Sequence, residues 1–415
     1  MTSILFLVER HFEEAVFLWR QRSAAVHAPH FDLRALTDLD ERLEAHLDGL
    51  RVAGESGWDI VKQARGGKEP GEVFVGASLA FDAGDKRRID FVLDALVEHR
   101  EGVRGIVSAL GWLPREQVQR HIHAFLASST PMLRQVGITA SAIRRNDPGQ
   151  ALLDVLHDTD LLLKARSLRA VGELGRIDLV ALAARSLASD NEDVRFASAW
   201  SVALLSGDAP ALAVLQSIAE SADGSRYKAL EMTLRRMPLS DARVMQKRLA
   251  LNAAHVRIAV IAAGTIGYCD VIPGLIESMK VLPLARVAGE AFAMISGVDI
   301  ANEHLDRKQP EGFESGPNDN PEDGNVAPDE DDRLPWPDPV LIQEWWQRNQ
   351  IQFQNDTRYL LGKPITVEWL QKVLRIGRQR QRAAAALELA IRQPGQPLFN
   401  VVAPGFRQAA MLGLK

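Results

Sequence analysis

Apolar residues in the middle of this chain fall at helical spacing, in stripes such as Ala199, Val202 and Ala203 and, further on, Ala259, Ala262 and Ala263. Residues three and four apart share one face of a helix, so each stripe predicts a helix that buries that face. The small side chains let a neighbouring helix come close. Turn residues interrupt the stripes at regular places. The clearest unit predicts a helix from Asp178 to Ser189, a turn at Asp190-Asn191-Glu192, and a second helix from Asp193 to Leu205 stopped by Ser206-Gly207. Asp190, Asn191 and Asp193 can accept from free amides at the start of that second helix, and Gly207 can take the left-handed conformation that ends it. Pro210, Asp223-Gly224-Ser225, Pro238, Asn252-Ala253-Ala254 and Pro283 punctuate the following stretch in the same way.

A basic residue recurs with this punctuation: Arg104, Arg134, Lys164, Arg195, Arg226, Arg257 and Arg286, at gaps of 30, 30, 31, 31, 31 and 29. Two helices of about twelve residues with two short turns fill such a period, so the pattern predicts an internal repeat whose neighbouring helix pairs bury each other's apolar faces. A cation at the start of the second helix is expected to bond carbonyl or carboxylate groups of the adjoining turn, not to form a binding track. The expected architecture is an all-α solenoid. Its repeat array covers 70–300, preceded by an N-terminal helical cap over 1–69 with helices near Glu9 to Ser23 and Leu36 to Arg51. Residues 301–338 read as an acidic, Pro- and Gly-rich linker, too poor in apolar groups to offset its own ordering entropy. A basic helical segment, 339–415, follows, with helices near Val340 to Arg348, Thr366 to Leu374 and Gln379 to Ile391.

Composition fits this picture. The chain has 415 residues, 46% hydrophobic and 25% charged, and a quasi-one-dimensional array can reach that length as one domain. The formal net charge of −5 argues against a protein whose main task is holding nucleic acid phosphates, and suits a basic partner instead. Charge is unevenly spread: residues 339–415 carry eleven Lys and Arg against four Asp and Glu, a net of +7, against which the acidic linker could lie. Cys269 is the only cysteine and reads as a buried, inert thiol. The apolar start Ile4 to Val8 meets Glu9-Arg10-His11 at once, too short for a signal-peptide core or a membrane span, and the expected location is the cytoplasm.

Catalytic chemistry finds no foothold in the sequence. Phosphate-binding loops, nucleophile elbows, His-Glu-x-x-His helices and Cys-x-x-Cys pairs do not occur. His121 and His123 are two apart on a predicted helix and so point to different faces, and His27 and His30 fall in a turn. No metal, cofactor or enzymatic activity is expected. The run Arg375, Arg378, Arg380 and Arg382 reads either as a solvated helix face paired with the acidic linker or as a phosphate or acidic-partner patch. Partner-binding candidates are Asp329, Glu330, Asp331 and Asp332, which could imitate a nucleic acid backbone in the basic cleft of a nuclease, and the adjacent Trp345 and Trp346, which cannot both face one core.

The repeats resemble HEAT-like repeats of the short, bilin-lyase type over roughly 70–300, most closely at Lys164-Ala-Arg-Ser-Leu-Arg-Ala-Val-Gly-Glu-Leu-Gly175. That is a packing motif, and lyase activity does not follow from it. Deoxyhypusine hydroxylase shares the architecture but needs His-Glu dipeptides, and this chain has none. HEAT-like alkylpurine DNA glycosylases use a basic concave face, which the acidic balance opposes. Across most of the chain, Leu39 to Trp58, Trp345-Trp346, Thr357 to Gly362 and Gly377 to Ala390 are similar to a proteobacterial family that accompanies type VI secretion genes for spike-tip PAAR proteins and their toxins. The resemblance implies an immunity protein that binds and neutralises a secreted effector toxin, with a nuclease as the expected toxin. An adaptor or chaperone that loads the effector is the alternative, and a nucleic-acid-processing enzyme on a HEAT-like scaffold a third. Direct nucleic acid or membrane binding is not expected.

Overall fold

A computed structural model describes residues 5–64, 69–221, 224–316 and 329–414. Asp223 and 317–328 of the linker thus lie outside the described residues. The chain is all-α. In order its helices are α1 (Leu5–Ala25), α2 (Leu33–Ala53), α3 (Glu55–Gln63), α4 (Pro70–Ala83), α5 (Lys86–Glu98), α6 (Val103–Trp112), α7 (Arg115–Leu126), α8 (Pro131–Ile143), α9 (Gln150–Val155), α10 (Leu161–Glu173), α11 (Val180–Ala184), α12 (Glu192–Ser206) and α13 (Ala209–Glu220). There follow α14 (Arg226–Arg236), α15 (Leu239–Ala250), α16 (Val256–Ile266), α17 (Ile272–Ser278), α18 (Leu282–Ser296), α19 (Pro339–Asn349), α20 (Val367–Ile376), α21 (Gln379–Arg392) and α22 (Gly405–Met411). Between α19 and α20 a hairpin pairs β1 (Tyr359–Leu360) antiparallel with β2 (Lys363–Pro364), Tyr359 opposite Pro364. Among the described residues no single helix is long and apolar enough to cross a membrane.

The chain divides into two compact units, Met1–Val214 with Arg375–Lys415, and Leu215–Leu374. These units cut across the segments read from composition, because residues after 374 return to the first unit. In that unit α4 packs on α6, α6 on α8, α8 on α10 and α10 on α12, while α7 and α11 lie against their following helices. In the second, α14 packs on α16 and α16 on α18, flanked by α15 and α17. This every-second-helix packing is repeat-like, and the recurring basic residue falls in the opening turn of each stacked helix from α6 to α18.

Six of those seven cations are engaged within the fold. Arg134 Nη1 donates to the carbonyls of Ser128 (3.0 Å) and Ser129 (2.9 Å), Arg195 Nη1 to that of Ser189 (2.6 Å), and Arg226 Nε to that of Ala219 (3.1 Å). Each thereby satisfies carbonyls left without helical partners where the preceding segment ends. Arg104 instead stacks over Trp19, 5.3 Å from the ring centroid.

Capping follows the sequence. Asn191 accepts from the Val194 amide (3.0 Å), and Gly207 sits at φ 69°. Asn191→Ala is expected to lower stability by about 1 kcal/mol, seen as a reduced urea midpoint with unchanged slope. The helix expected over 178–189 is shorter than its pattern. It holds only over α11 and continues as three-residue turns, because the Ala183 carbonyl takes the Ser198 hydroxyl (2.7 Å) and the Ser186 amide (3.0 Å) in place of the amide four residues on.

The C-terminal return is anchored to the first two helices. Gln379 N donates to the Phe31 carbonyl (2.7 Å), Arg22 Nη2 to the carbonyls of Val402 (3.1 Å) and Ala403 (2.9 Å), and Gly405 N to Asp40 (2.6 Å). The run from Arg375 to Arg382 is only partly solvated, with Arg375 exposed, Arg378 and Arg380 half-buried and Arg382 buried. Arg382 is fully buried and bonds Gln408 Oε1 (2.5 Å) and Gln379, Arg380 bonds the His27 carbonyl (3.0 Å), and Arg375 that of Leu412 (3.3 Å).

Candidate functional site

The acidic stretch is partly built into the second unit. Asp331 is buried, and its carboxylate takes both arms of Arg257, Nη1 at 2.9 Å and Nη2 at 2.6 Å. Asp329 takes Arg286 Nη2 at 2.6 Å, and the other arm of Arg286 reaches the Asp331 carbonyl at 3.0 Å. Trp336 and Phe313 cover that guanidinium, with ring centroids 4.9 and 5.5 Å away. Burial would raise the Asp329 carboxyl, but the Asp331 amide and Arg286 outweigh it and hold the group below its ordinary value. The described carboxylates therefore lie on two of the repeat arginines and not on the basic C-terminal segment, as their charge had suggested. Glu330 and Asp332 alternate with them, their side chains 65% and 72% exposed, Glu330 also lying 3.2 Å from Arg257 and Asp332 3.6 Å from Arg333.

Of the two tryptophans, Trp346 is buried in the core of the second unit, and Trp345 lies at its margin, edge-on to Phe292 at 5.6 Å. Cys269 is buried, its thiol pushed up by burial and then by Asp270. Among the described residues no group of three His, Cys, Asp or Glu side chains is arranged to hold a metal ion.

A second site, unmarked in the sequence, lies in the first unit. Three cavities, of about 640, 260 and 90 Å³, share Arg407 in their walls. Helix α6 contributes Arg104 and Trp112, the start of α7 Arg115, the end of α8 Arg144, and α22 Phe406 and Arg407. Arg144 Nη1 caps the end of α6 through the carbonyls of Leu110 (2.7 Å) and Leu113 (3.0 Å), and Arg407 Nη2 bonds the Trp112 carbonyl (3.3 Å). Arg115 is held by Gln119 (3.2 Å) and Asn146 (3.3 Å).

Carboxylates near this groove are already engaged. Asp40 pairs with Arg22 at 2.5 Å, and Glu44 accepts from Arg51 (2.6 Å) and from the Trp112 indole. Among the described residues Arg104, Arg115, Arg144 and Arg407 make no salt bridge. Burial, then the charges of Arg407 and Arg115, bring Arg144 down to about 10, which Glu116 only partly offsets. Burial and Arg22 lower Arg407. A partly buried cluster of like charges of this kind favours binding an anion. Sequence reasoning passed over it because its members stand at 104, 115, 144 and 407, with no spacing in common. No protein-family model matches this sequence, and no curated protein matches it.

Proposed function

We propose that this chain is an α-solenoid of short HEAT-like repeats acting in the cytoplasm as a non-catalytic immunity protein. It would bind and neutralise a type VI secretion effector toxin, a nuclease with a basic cleft. The clamped acidic turn carries this reading. Two arginines hold Asp329 and Asp331, and Arg257 also reaches Glu330, so the ordering entropy of the turn is met within the fold while the Glu330 and Asp332 side chains stay largely exposed. Alternating exposed carboxylates suit a cleft that otherwise receives a phosphate backbone, and Trp345 supplies an aromatic margin in the same unit.

The direct test is co-purification with the toxin encoded beside it. The double substitution Glu330→Gln, Asp332→Asn is expected to weaken that association about tenfold at low ionic strength and by less as salt rises, since both charges are solvent-exposed. Unchanged affinity would remove the mimicry. A loading adaptor makes a different genetic prediction: loss of the gene would leave toxin-expressing cells healthy while abolishing export of the toxin.

A further inference from the structure

We propose that the groove in the first unit is a binding site for an aromatic phosphate monoester of nucleoside-monophosphate type, with the phosphate in the smallest cavity and the ring system in the widest. This goes beyond the secretion reading and does not depend on it.

The smallest cavity, about 90 Å³, holds a group larger than a single water. Its walls include Arg115, Arg144 and Arg407 and the polar side chains of Gln119, Ser141 and Asn146. Ser141 is 1% exposed, and among the described residues its hydroxyl has no hydrogen-bond partner. A buried hydroxyl is ordinarily satisfied, so an orphan donor facing three guanidiniums marks the place of an acceptor. Each guanidinium is oriented by neutral carbonyl or amide oxygens, which fix its position without cancelling its charge. The remaining N–H groups are free to converge on one anion, already paid for in orientation.

The count of donors selects the anion. Three arginines and a hydroxyl match a phosphate monoester, which presents three terminal oxygens and close to two charges, better than a carboxylate with two oxygens or a phosphodiester with one charge. The neighbouring cavity of about 640 Å³ shares the same three arginines and is walled by Trp112, Leu113, Pro114 and Phe406, with Glu44, engaged by Arg51 and the Trp112 indole, also lining it. Phe406 is 45% exposed although it packs edge-on against Trp112 at 5.8 Å, leaving a free ring face on which a flat aromatic group can stack. That volume lies in the usual range of small-molecule sites. The protein's net charge of −5 disfavours a long polyanion such as nucleic acid over a small one.

Isothermal titration calorimetry of the full chain with inorganic phosphate, adenosine, adenosine monophosphate and a single-stranded oligonucleotide tests this. Adenosine monophosphate is expected to bind at least about tenfold more tightly than phosphate or adenosine, because only it fills both cavities. Ser141→Ala, a small change at an unpaired hydroxyl, should weaken both phosphate and the monophosphate several-fold. Phe406→Ala should weaken the monophosphate alone, and Arg144→Met should weaken both about tenfold or more. Circular dichroism separates lost binding from lost folding for Arg144→Met, which also gives up a helix cap, and Ser141→Ala carries the test should that variant unfold. The proposal is overturned by no saturable binding of the monophosphate, by equal affinity for phosphate and the monophosphate, by indifference to Ser141→Ala, or by tighter binding of the oligonucleotide than of the monophosphate.

Discussion

Replacing Glu173 by Gln is expected to destabilise the first unit by about 3 kcal/mol, at the lower end of the cost of breaking a buried ion pair because its partners keep some contact with solvent. Glu173 ends α10 and lies 2.9 Å from Arg166, 3.3 Å from Arg169 and 3.9 Å from Arg145. Burial pushes its carboxyl up, but the three arginines outweigh burial and hold it at about 2. Arg169 is pressed against the Trp200 ring and brought down to about 10 by burial, with Glu173 opposing the shift. Without the carboxylate, three half-buried cations would face one another. The same pair of values sets a pH dependence. Because the folded value is depressed below the ordinary glutamate value of about 4.3, the stabilisation is full above that pH and is lost as pH falls through about 2. Urea unfolding followed by circular dichroism at pH 7 and pH 3 measures both. A loss under about 1 kcal/mol would mean that solvent screens the cluster as it does surface pairs.

Gly105→Ala is expected to cost a further large amount, about 3 kcal/mol, for a steric reason. On α6, a Cβ at this position would stand 2.3 Å from the Pro70 carbonyl oxygen, 2.8 Å from the Phe74 nitrogen and 2.9 Å from Val73 Cβ, all on α4. Two of the three obstacles are backbone, so no rotamer change relieves them and the two helices must separate. Their contact also carries Phe74, packed at 5.8 Å from both Trp19 and Trp112, which would loosen with it. Gly274→Ala on α17 is the matched control, since a Cβ there meets nothing within 4 Å and the change should stabilise by about 0.5 kcal/mol. Thermal unfolding of both variants distinguishes close helix packing from a general intolerance of substitution. Similar melting temperatures for the two would sink the packing argument.

Helix positions were legible in the sequence wherever the signal was local. The expected helices at Glu9 to Ser23, Leu36 to Arg51, Val340 to Arg348 and Gln379 to Ile391 all lie within or nearly within observed ones, and Asn191 and Gly207 cap as their residue types require. The recurring cation was legible too, and so was its structural use at Arg134, Arg195 and Arg226, whose partners include carbonyls a few residues away. Arg104 departs from this by stacking on Trp19, and Arg257 and Arg286 bind carboxylates. Their partners lie 74 and 43 residues further on, and nothing near either arginine indicates Asp331 or Asp329.

Sequence alone determined the all-α class, the period of about thirty residues and the capping, since helix formation depends on residues three and four apart and caps on the residues next to them. Tertiary structure alone decided how charge is used. It placed Asp329 and Asp331 on repeat arginines, brought Arg145 to the Arg166, Arg169 and Glu173 already on one helix, and left Arg115, Arg144 and Arg407 without a salt bridge among the described residues in a chain whose net charge is negative. Electrostatic partnership is a matter of distance and burial, and folding brings together positions that neither spacing nor a charge total connects.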